Sequence, residues 1–334
     1  MTPERVNLSA ADARNLGESA LRGIGYDADE ARIIADHCID AALCGYEYSG
    51  LAKILNLPDH ERFKLPRRPM KALRETGVSI AFDGGNQVGM LAMYYAAEAA
   101  INKAATHGIA LVTVIDSWMS GRSAYFVEMI AKAGLVAIHT AASARLVAPP
   151  GGARAVLGTN PIAIAVPSSR GPIVLDMGTS AFMMTEVMLR ARLGELLPEG
   201  VAIGPDGEPT RDPVLAQRGA LLPFGDYKGF GLALMMQIFG ALAGTSSDYE
   251  DDDGYLFIAF KPDLVGPADV FGARVTELIE RVKATPRQAG VDEIRIPSER
   301  AFRTRERLLR EGLQIDRLVY DALMNLSEHS RPQS

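Results

Sequence analysis

The chain has 334 residues, of which 48% are hydrophobic and 23% charged, and its formal net charge is −6. This composition is typical of a globular protein with a substantial core, and the acidic balance without a Lys/Arg run argues against nucleic-acid binding. Two cysteines, Cys38 and Cys44, indicate buried thiols in a reducing compartment rather than a disulfide framework. We see no signal-peptide pattern and no apolar run near the ~20 residues of a membrane span, so we expect a cytoplasmic protein.

The first quarter of the sequence predicts helices. Ser9 is a suitable cap for a run that ends near Gly23–Gly25, and Asp27 for a second helix. The residues that share the apolar face of the second helix are Ile33, Ile34, His37, Cys38 and Ala41. A polar turn, CGYEYSGLAK at 44–53, ends this helix and leads into a further short one.

Short apolar runs rich in β-branched residues predict strands in the remainder of the chain. These runs are 78–86, 109–116, 135–143, 161–167, 172–178 and 255–260. Between the first three, helices are predicted to end at Gly108 and Gly134. One strand–helix–strand unit therefore lies beside closely spaced strands that suit antiparallel pairing, which predicts an α/β fold with a mixed sheet.

The C-terminal region returns to helix, over 298–312 with Ser298 as cap and again over 316–326. The acidic run at 250–253 is interpreted as a solvated loop, since it lacks the ligand spacing of a metal loop. We predict three regions: a helical part at 1–75, a central α/β region at 76–265 and a C-terminal helical segment at 266–334.

No established nucleotide fingerprint is present. The glycines of DGGNQVG follow a strand but do not match the G-x-G-x-x-G pattern, and the phosphate-binding loop of the NTPases is missing. The five histidines are scattered without the short spacing of metal ligands, so we predict no metal site.

Four loops nevertheless have the composition of a binding site, namely 116–124, 158–163, 176–181 and 221–234. In the first, the N–H groups that begin a helix lie beside Arg122 and suit a phosphate. In the last, Lys228 lies at a helix start, where a lysine opposes the helix dipole unless an anion is near. An ordinary turn or helix cap remains the alternative for the first three loops, and a surface lysine for the last.

These loops carry a family resemblance. The segments GTNPIAIAVP, VLDMGTSA, LPEGVAIGPDGEPTRDP, LLPFGDYKGFGLAL and RIPSER, in this order and spacing, resemble the type 2 malate/L-lactate dehydrogenase family over about residues 8–325. That family includes sulfolactate and ureidoglycolate dehydrogenases and the piperideine-2-carboxylate and pyrroline-2-carboxylate reductases. The resemblance implies its non-Rossmann NAD(P)-binding α/β fold, NAD or NADP as cofactor, a small carboxylate-type substrate and a homodimer.

At the substrate end, the residues of this chain differ from those of the family motif at the same positions. The family has Ser-His-Gly and, three residues later, Arg; here Tyr48 stands at the serine, Ser49 at the histidine and Lys53 at the arginine that holds the substrate carboxylate. A second family histidine is replaced by Met119. We predict that the substrate is bound by Lys53, Trp118, Thr159, Asn160 and Glu186.

The cofactor-side positions are largely retained. They are Ser120, Gly121, Arg122, Ser123, Asp176, Met177, Gly178, Lys228, Gly229 and Arg300. Thr185–Glu186 matches its family motif in part.

The missing histidines pose a chemical question, because reduction of a ketone creates an alkoxide that needs a proton. Tyr46 or Tyr48 is predicted as the donor if Lys53 lowers the phenol pKa, whereas a serine is far too weak an acid. A protonated imine avoids the need for a donor. Lysine in place of arginine also predicts weaker or differently placed carboxylate recognition.

Three interpretations of the function are possible. The chain is an NAD(P)H-dependent oxidoreductase with an atypical proton donor, or within that class a cyclic imino-acid reductase, or a catalytically silent homologue that binds a dinucleotide. Trp118, Met119, Tyr46 and Tyr48 are predicted to wall a bulkier, less polar pocket.

Overall fold

A computed structural model describes residues 4–244 and 254–328 of the chain. The acidic run at 250–253 lies outside these ranges. Within them, no helix is both long and apolar enough to cross a membrane.

The N-terminal part consists of two helices and three 3₁₀ turns. The helices are α1 (Ala10–Gly23) and α2 (Ala28–Leu43), and the turns cover Glu47–Ser49, Leu51–Asn56 and Glu61–Lys64. Both predicted caps are confirmed: Ser9 Oγ accepts from the N–H of Asp12, and Asp27 forms a reciprocal pair of bonds with Glu30. A strand that we did not predict, β1 (Arg5–Leu8), pairs antiparallel with β11 (Leu313–Asp316) and joins the two ends of the chain.

A seven-stranded mixed sheet forms the centre, in the order β2-β3-β4-β10-β5-β6-β7. Its strands are β2 (Lys71–Glu75), β3 (Ser79–Val88), β4 (Ile109–Trp118), β5 (Val136–Ala142), β6 (Ile162–Val166), β7 (Ile173–Met177) and β10 (Gly254–Phe260). The strands β3 and β4 are parallel and are connected by α3 (Gly89–His107), while β6 and β7 pair antiparallel. The predicted mixed α/β fold is therefore confirmed.

The helices α3 and α4 (Ser123–Lys132) cover one part of this sheet. The small side chains of α3 allow close packing, and Gly108 and Gly134 follow the two helices in the left-handed conformation, as predicted. The remaining elements are α5 (Met184–Leu193), β8 (Ala202–Ile203), α6 (Pro213–Arg218), β9 (Ala220–Leu221), α7 (Tyr227–Ala243), α8 (Ala268–Lys283), α9 (Glu299–Glu311) and α10 (Arg317–Glu328).

Two local expectations can be judged directly. Cys38 and Cys44 are buried free thiols, as predicted. Ser298 precedes α9 but its side chain makes no capping bond, because the residue adopts φ of 61°; the predicted role as a side-chain cap was wrong. The division at residues 75 and 265 stays a prediction.

Candidate active site

The turn at 44–53 follows α2 and is shaped by its two glycines. Gly45 has φ of 85°, and a Cβ on Gly50 would lie 2.8 Å from the Cβ of Ala42, closer than two carbon atoms pack. The close approach packs the 3₁₀ turns against α2. The rings of Tyr46 and Tyr48 meet edge to face with centroids 6.1 Å apart, and the Ser49 side chain is buried.

The loop 119–123 runs from the end of β4 to the start of α4 and lies against α2. Met119 and Gly121 have φ of 57° and 83°. A Cβ on Gly121 would overlap Nε2 of His37. The next residue, Arg122, donates its backbone N–H to that nitrogen at 2.9 Å. His37, which we had placed only on the core face of α2, is therefore a direct support of the loop.

His37 is a neutral imidazole. Burial, followed by the charges of Lys53 and Arg122, holds the pKa of His37 well below its ordinary value of 6.5. Since Nε2 accepts from Arg122, the ring proton belongs on Nδ1, which has no hydrogen-bond partner among the described residues. His37 thus supports the loop but is not an acid at neutral pH.

The guanidinium of Arg122 is already paired. It lies 2.7 Å from Asp40 Oδ2, one turn after His37 on α2, and 5.3 Å from the centroid of the Tyr46 ring. Asp40 also pairs with Arg305 on α9, which in turn contacts Glu128 on α4 at 2.6 Å. This buried network joins three helices to the loop. The charge of Arg122 is therefore compensated within the protein by Asp40.

The start of α4 retains free polar groups. Asp176, at the end of β7, accepts the N–H of Ala124 at 2.7 Å, while Ser123 Oγ is buried without a partner among the described residues. A buried hydroxyl without a partner costs free energy, and a helix N-terminus attracts negative or hydrogen-bonding groups. These residues fit the polar part of a nucleotide cofactor. Met177 and Gly178 continue from Asp176, and Gly178 packs against Met183.

The predicted activation of Tyr48 by Lys53 was wrong. Burial is the largest cause of a raised Tyr48 pKa, and Tyr46, Glu186 and Asp176 raise it further. Arg122 is the cation that opposes this shift, and Lys53 is not among its causes. Because the hydroxyl loses its proton less readily than a free tyrosine, Tyr48 is a poor proton donor at neutral pH.

Lys53 is the unusual group of the site. Its side chain is buried, with the residue 4% exposed, and no hydrogen bond or ion pair connects it to any described residue. Burial lowers the pKa of Lys53 from 10.5 to about 8, and a smaller contribution from Cys38 opposes the shift. Burial of a charged amine without a counter-charge costs free energy of folding, and such groups are concentrated at functional sites.

Other predicted substrate residues have structural partners. The Trp118 indole is 2% exposed, stacks on His60 with centroids 4.4 Å apart, and donates to the carbonyl of Asn86. The side-chain amide of Asn160 donates to Ala233 O and to Gln237, which attaches α7 to the 158–163 loop. The structure thus places Trp118 in the core and gives Asn160 a packing role.

Glu186 lies near Tyr48, and Thr159 contacts the segment that follows β7. Glu186 lies in the first turn of α5, pairs with Arg190 at 3.3 Å and is close enough to raise the Tyr48 pKa. The carbonyl of Thr159 accepts both the N–H and the hydroxyl of Thr179, which connects the 158–163 loop to the end of β7.

The cofactor-side positions on α7 and α9 differ in exposure. Lys228 lies in the first turn of α7, at the predicted helix start; its side chain is exposed and forms no ion pair with a described residue. A Cβ on Gly229 would lie 2.6 Å from the carbonyl oxygen of Thr179, so the start of α7 packs directly against the 176–181 loop. Arg300 is exposed near the start of α9, and Ser120 is half-buried beside Gly89.

Comparison with known proteins decides the family. Residues 8–324 match the family described as Malate/L-lactate dehydrogenase. The chain belongs to the malate/L-lactate dehydrogenase family. It is therefore an oxidoreductase of that family, as the resemblance implied, and its mixed α/β fold is the family fold.

Individual members of the malate/L-lactate dehydrogenase family are similar over nearly their whole length. An L-sulfolactate dehydrogenase from Methanothermobacter thermautotrophicus is 31% identical, with 96% of each chain covered. A Delta(1)-pyrroline-2-carboxylate reductase from Ancylobacter novellus is 33% identical over 97% of this chain and 98% of its own. The solved sulfolactate dehydrogenase from Methanocaldococcus jannaschii superposes with a TM-score of 0.83 at 29% identity, with 97% of each chain covered.

Sequence reasoning missed the residues behind the loop of this family member. His37 and Asp40 bind Arg122, and Arg305 pairs with both Asp40 and Glu128, yet none of these four residues belongs to a recognised motif. One available signal was the i, i+3 spacing of His37 and Asp40, which puts both side chains on one face of α2. In the described ranges no group of three or more metal-binding side chains occurs.

Proposed function

We propose that this protein transfers a hydride between a nicotinamide cofactor, NAD or NADP, and the C=O or C=N group of a small carboxylate. The observation that carries the proposal is Lys53, a buried amine without a described partner at the position of the family's carboxylate anchor. A substrate carboxylate would supply the missing counter-charge. The need for such a charge favours anionic substrates over neutral ketones.

The cofactor side is supported by the start of α4 and the end of β7. Ser123 Oγ and the loop N–H groups offer donors, Asp176 orients the helix start through Ala124, and exposed Lys228 offers a cation for a phosphate. Reduced nicotinamide supplies a hydride when it is bound. The protein's task is to hold the substrate with its C=X carbon towards that position and to exclude water.

Both a 2-oxo acid and a cyclic 2-imino acid fit this proposal. The similar proteins named above include a sulfolactate dehydrogenase and a pyrroline-2-carboxylate reductase. The imine alternative is favoured by Ser49 and Met119, which stand where the family keeps histidines, because an iminium already carries its proton. A 2-oxo acid requires another donor.

We propose further that the protein is a homodimer through α7. This helix is apolar on nearly every side, and its outward residues Leu234, Met235, Ile238 and Leu242 are exposed at 43%, 45%, 51% and 66%. A helix that is apolar all round is normally covered. A second copy of the chain is the cover that the family resemblance implies.

The function is tested by binding and turnover. Purified protein is titrated with NADH and NADPH by fluorescence, and then given 2-oxo acids, including pyruvate and oxaloacetate, and cyclic 2-imino acids while absorbance at 340 nm is followed. We expect binding of at least one cofactor and turnover of one substrate class. Binding without any turnover would leave the silent dinucleotide-binding homologue as the answer, and no binding of either cofactor would reject both.

The dimer is tested by the mass in solution from light scattering. The native chain should have twice the monomer mass, and Ile238→Lys should shift it towards monomer. Val265→Lys, at an exposed residue outside α7, is the matched control and should leave the mass unchanged. A monomeric native chain would contradict the proposed role of α7.

A further inference from the structure

We propose that the Lys53 ammonium is the group that donates the proton to the substrate oxygen during carbonyl reduction, in place of the histidines that are missing at positions 49 and 119. This inference rests on the proposed function, which it deepens by naming 2-oxo acids as substrates. Lys53 also serves as the carboxylate anchor, because a 2-oxo acid presents its carboxylate and its carbonyl oxygen side by side and an ammonium has three N–H donors.

The geometry around Lys53 carries the inference. The side chain belongs to the 3₁₀ turn Leu51–Asn56, directly after Tyr48 and Ser49, and it is buried without a described hydrogen-bond or ion-pair partner. Its charge acts on His37, which in turn holds Arg122 of the 119–123 loop. Lys53 therefore lies on the side of α2 where the substrate turn and the loop with Met119 come together.

Four of the neighbouring side chains are poor alternatives. Met119 has no proton to give, and a serine hydroxyl such as that of Ser49 is too weak an acid. Tyr48 holds its proton more firmly than a free tyrosine does, and buried His37 is neutral with Nε2 engaged by Arg122. Among these side chains, Lys53 alone combines a labile proton, burial and freedom from other bonds.

The charges around Lys53 leave its proton available at neutral pH. The elements packed against its turn are α1, α2, α10 and the Glu47–Ser49 turn. From these, the titratable groups coupled to Lys53 are Cys38 and His37, both on α2 and both uncharged near neutral pH. The Lys53 pKa of about 8 that results from burial suits an acid that works near pH 7.

The chemical step balances. Reduction adds a hydride to the carbonyl carbon, with its two electrons supplied by the reduced nicotinamide, and the π electrons of C=O move to oxygen. The oxygen takes a proton from Lys53 Nζ. The product is a 2-hydroxy acid, and the neutral amine regains a proton from water before the next turnover.

The decisive comparison is Lys53→Arg, which keeps a cation for the carboxylate but holds its proton too tightly to donate it. For reduction of pyruvate or oxaloacetate we expect kcat to fall about 10²–10⁴-fold, with KM changed only a few-fold. The native kcat/KM, which reports the ionisations of the free protein, should decline above pH 8, and Lys53→Arg should lose that decline. Unchanged kcat with the native pH profile would overturn the inference and leave Lys53 as an anchor only.

A second variant, Lys53→Ala, tests the same role independently of whether Lys53→Arg folds correctly. Lys53→Ala leaves a cavity in which ethylamine can replace the missing amine, so added ethylammonium chloride should restore part of the rate while equal sodium chloride should not. Lys64→Arg, at an exposed lysine in the next 3₁₀ turn, is the matched control. Equal recovery in both salts would also overturn the inference.

A readout without cofactor separates this inference from the proposed function. In the free protein with ¹³C-labelled lysines, one NMR resonance should titrate near pH 8 and should be absent from Lys53→Arg. Titration of that resonance only above pH 10 would overturn the donor role even if NAD(P)H binding and turnover are found. Exclusive turnover of cyclic imines, unaffected by Lys53→Arg, would overturn it as well.

Discussion

The backbone N–H of Arg122 donates a 2.9 Å hydrogen bond to Nε2 of His37, so helix α2 holds the loop that follows β4. Because a buried N–H that loses its partner costs ~1–3 kcal/mol, we predict that His37→Leu destabilises the fold by about that amount. It should also weaken NAD(P)H binding about tenfold or more, since the loop leads into Ser123 and into Ala124, whose N–H is bound by Asp176. Urea unfolding and fluorescence titration measure the two effects.

His139 provides the control for His37. It is also fully buried, its pKa is lowered to about 4 by burial, and it stacks on Phe257 with centroids 4.0 Å apart. Replacement of His139 by Phe should change stability without changing the cofactor dissociation constant. If His139→Phe and His37→Leu weaken cofactor binding equally, the specific role of His37 is refuted.

We predict a second effect at Gly121. Gly121→Ala introduces both a strained φ of 83° and an overlap with the His37 ring. Gly134→Ala introduces the same kind of strain at φ of 82°, with no atom within 4 Å of the new Cβ. Strain alone costs ~1–2 kcal/mol, so the excess loss of unfolding free energy in Gly121→Ala measures the overlap. Equal losses in the two variants would show that the ring moves aside freely.

Much of the fold was accessible from sequence because its signals are local. Gly108 and Gly134 stop their helices, Ser9 and Asp27 cap theirs, and the short apolar runs became strands. The strand β1 was missed since its partner β11 lies at the other end of the chain, and a short strand has little periodicity of its own.

The candidate site was predictable in its parts but not in its contacts. The family motifs, which occur in order along the sequence, identify positions such as Lys53 and Asp176. The contact of Arg122 with His37 joins residues 85 positions apart, and no sequence pattern gives it. The prediction that Trp118 walls the pocket failed for a related reason. A residue beside a site loop can point into the core, as the stacking of Trp118 on His60 shows.

A third prediction concerns pH and Lys53. The folded-state pKa of about 8 lies below the ordinary 10.5, so the unfolded chain holds this proton more tightly than the folded chain. The cost to stability is complete below pH 8 and is relieved as pH rises to 10.5. Its size is on the order of 3 kcal/mol.

Lys53→Met should therefore be more stable than the native chain at pH 7, and the difference should shrink between pH 8 and 10.5. Urea unfolding of both proteins across this range is the measurement, with Lys64→Met as the exposed control. A difference that is constant with pH would mean that Lys53 keeps its ordinary proton affinity in the fold.

A fourth prediction concerns Asp40, which lies between Arg122 and Arg305. Asp40→Asn removes the carboxylate and leaves two largely buried cations less compensated, so we expect a loss of about 3–5 kcal/mol. Glu311→Gln, which breaks the exposed pair with Arg307, should cost no more than ~1 kcal/mol. Chemical unfolding of the two variants makes the comparison, and similar costs would show that the Asp40 network is as weak as a surface pair.

Hydride transfer is the central claim, and isotope transfer tests it most directly. The protein is incubated with NADH or NADPH that carries deuterium on the transferred position of C4, together with a 2-oxo acid or a cyclic 2-imino acid, and the product is examined by mass spectrometry. We predict a product with one deuterium bonded to the carbon beside the carboxylate. Product without deuterium, or no product from any member of either class while the cofactor is bound, would contradict the claim.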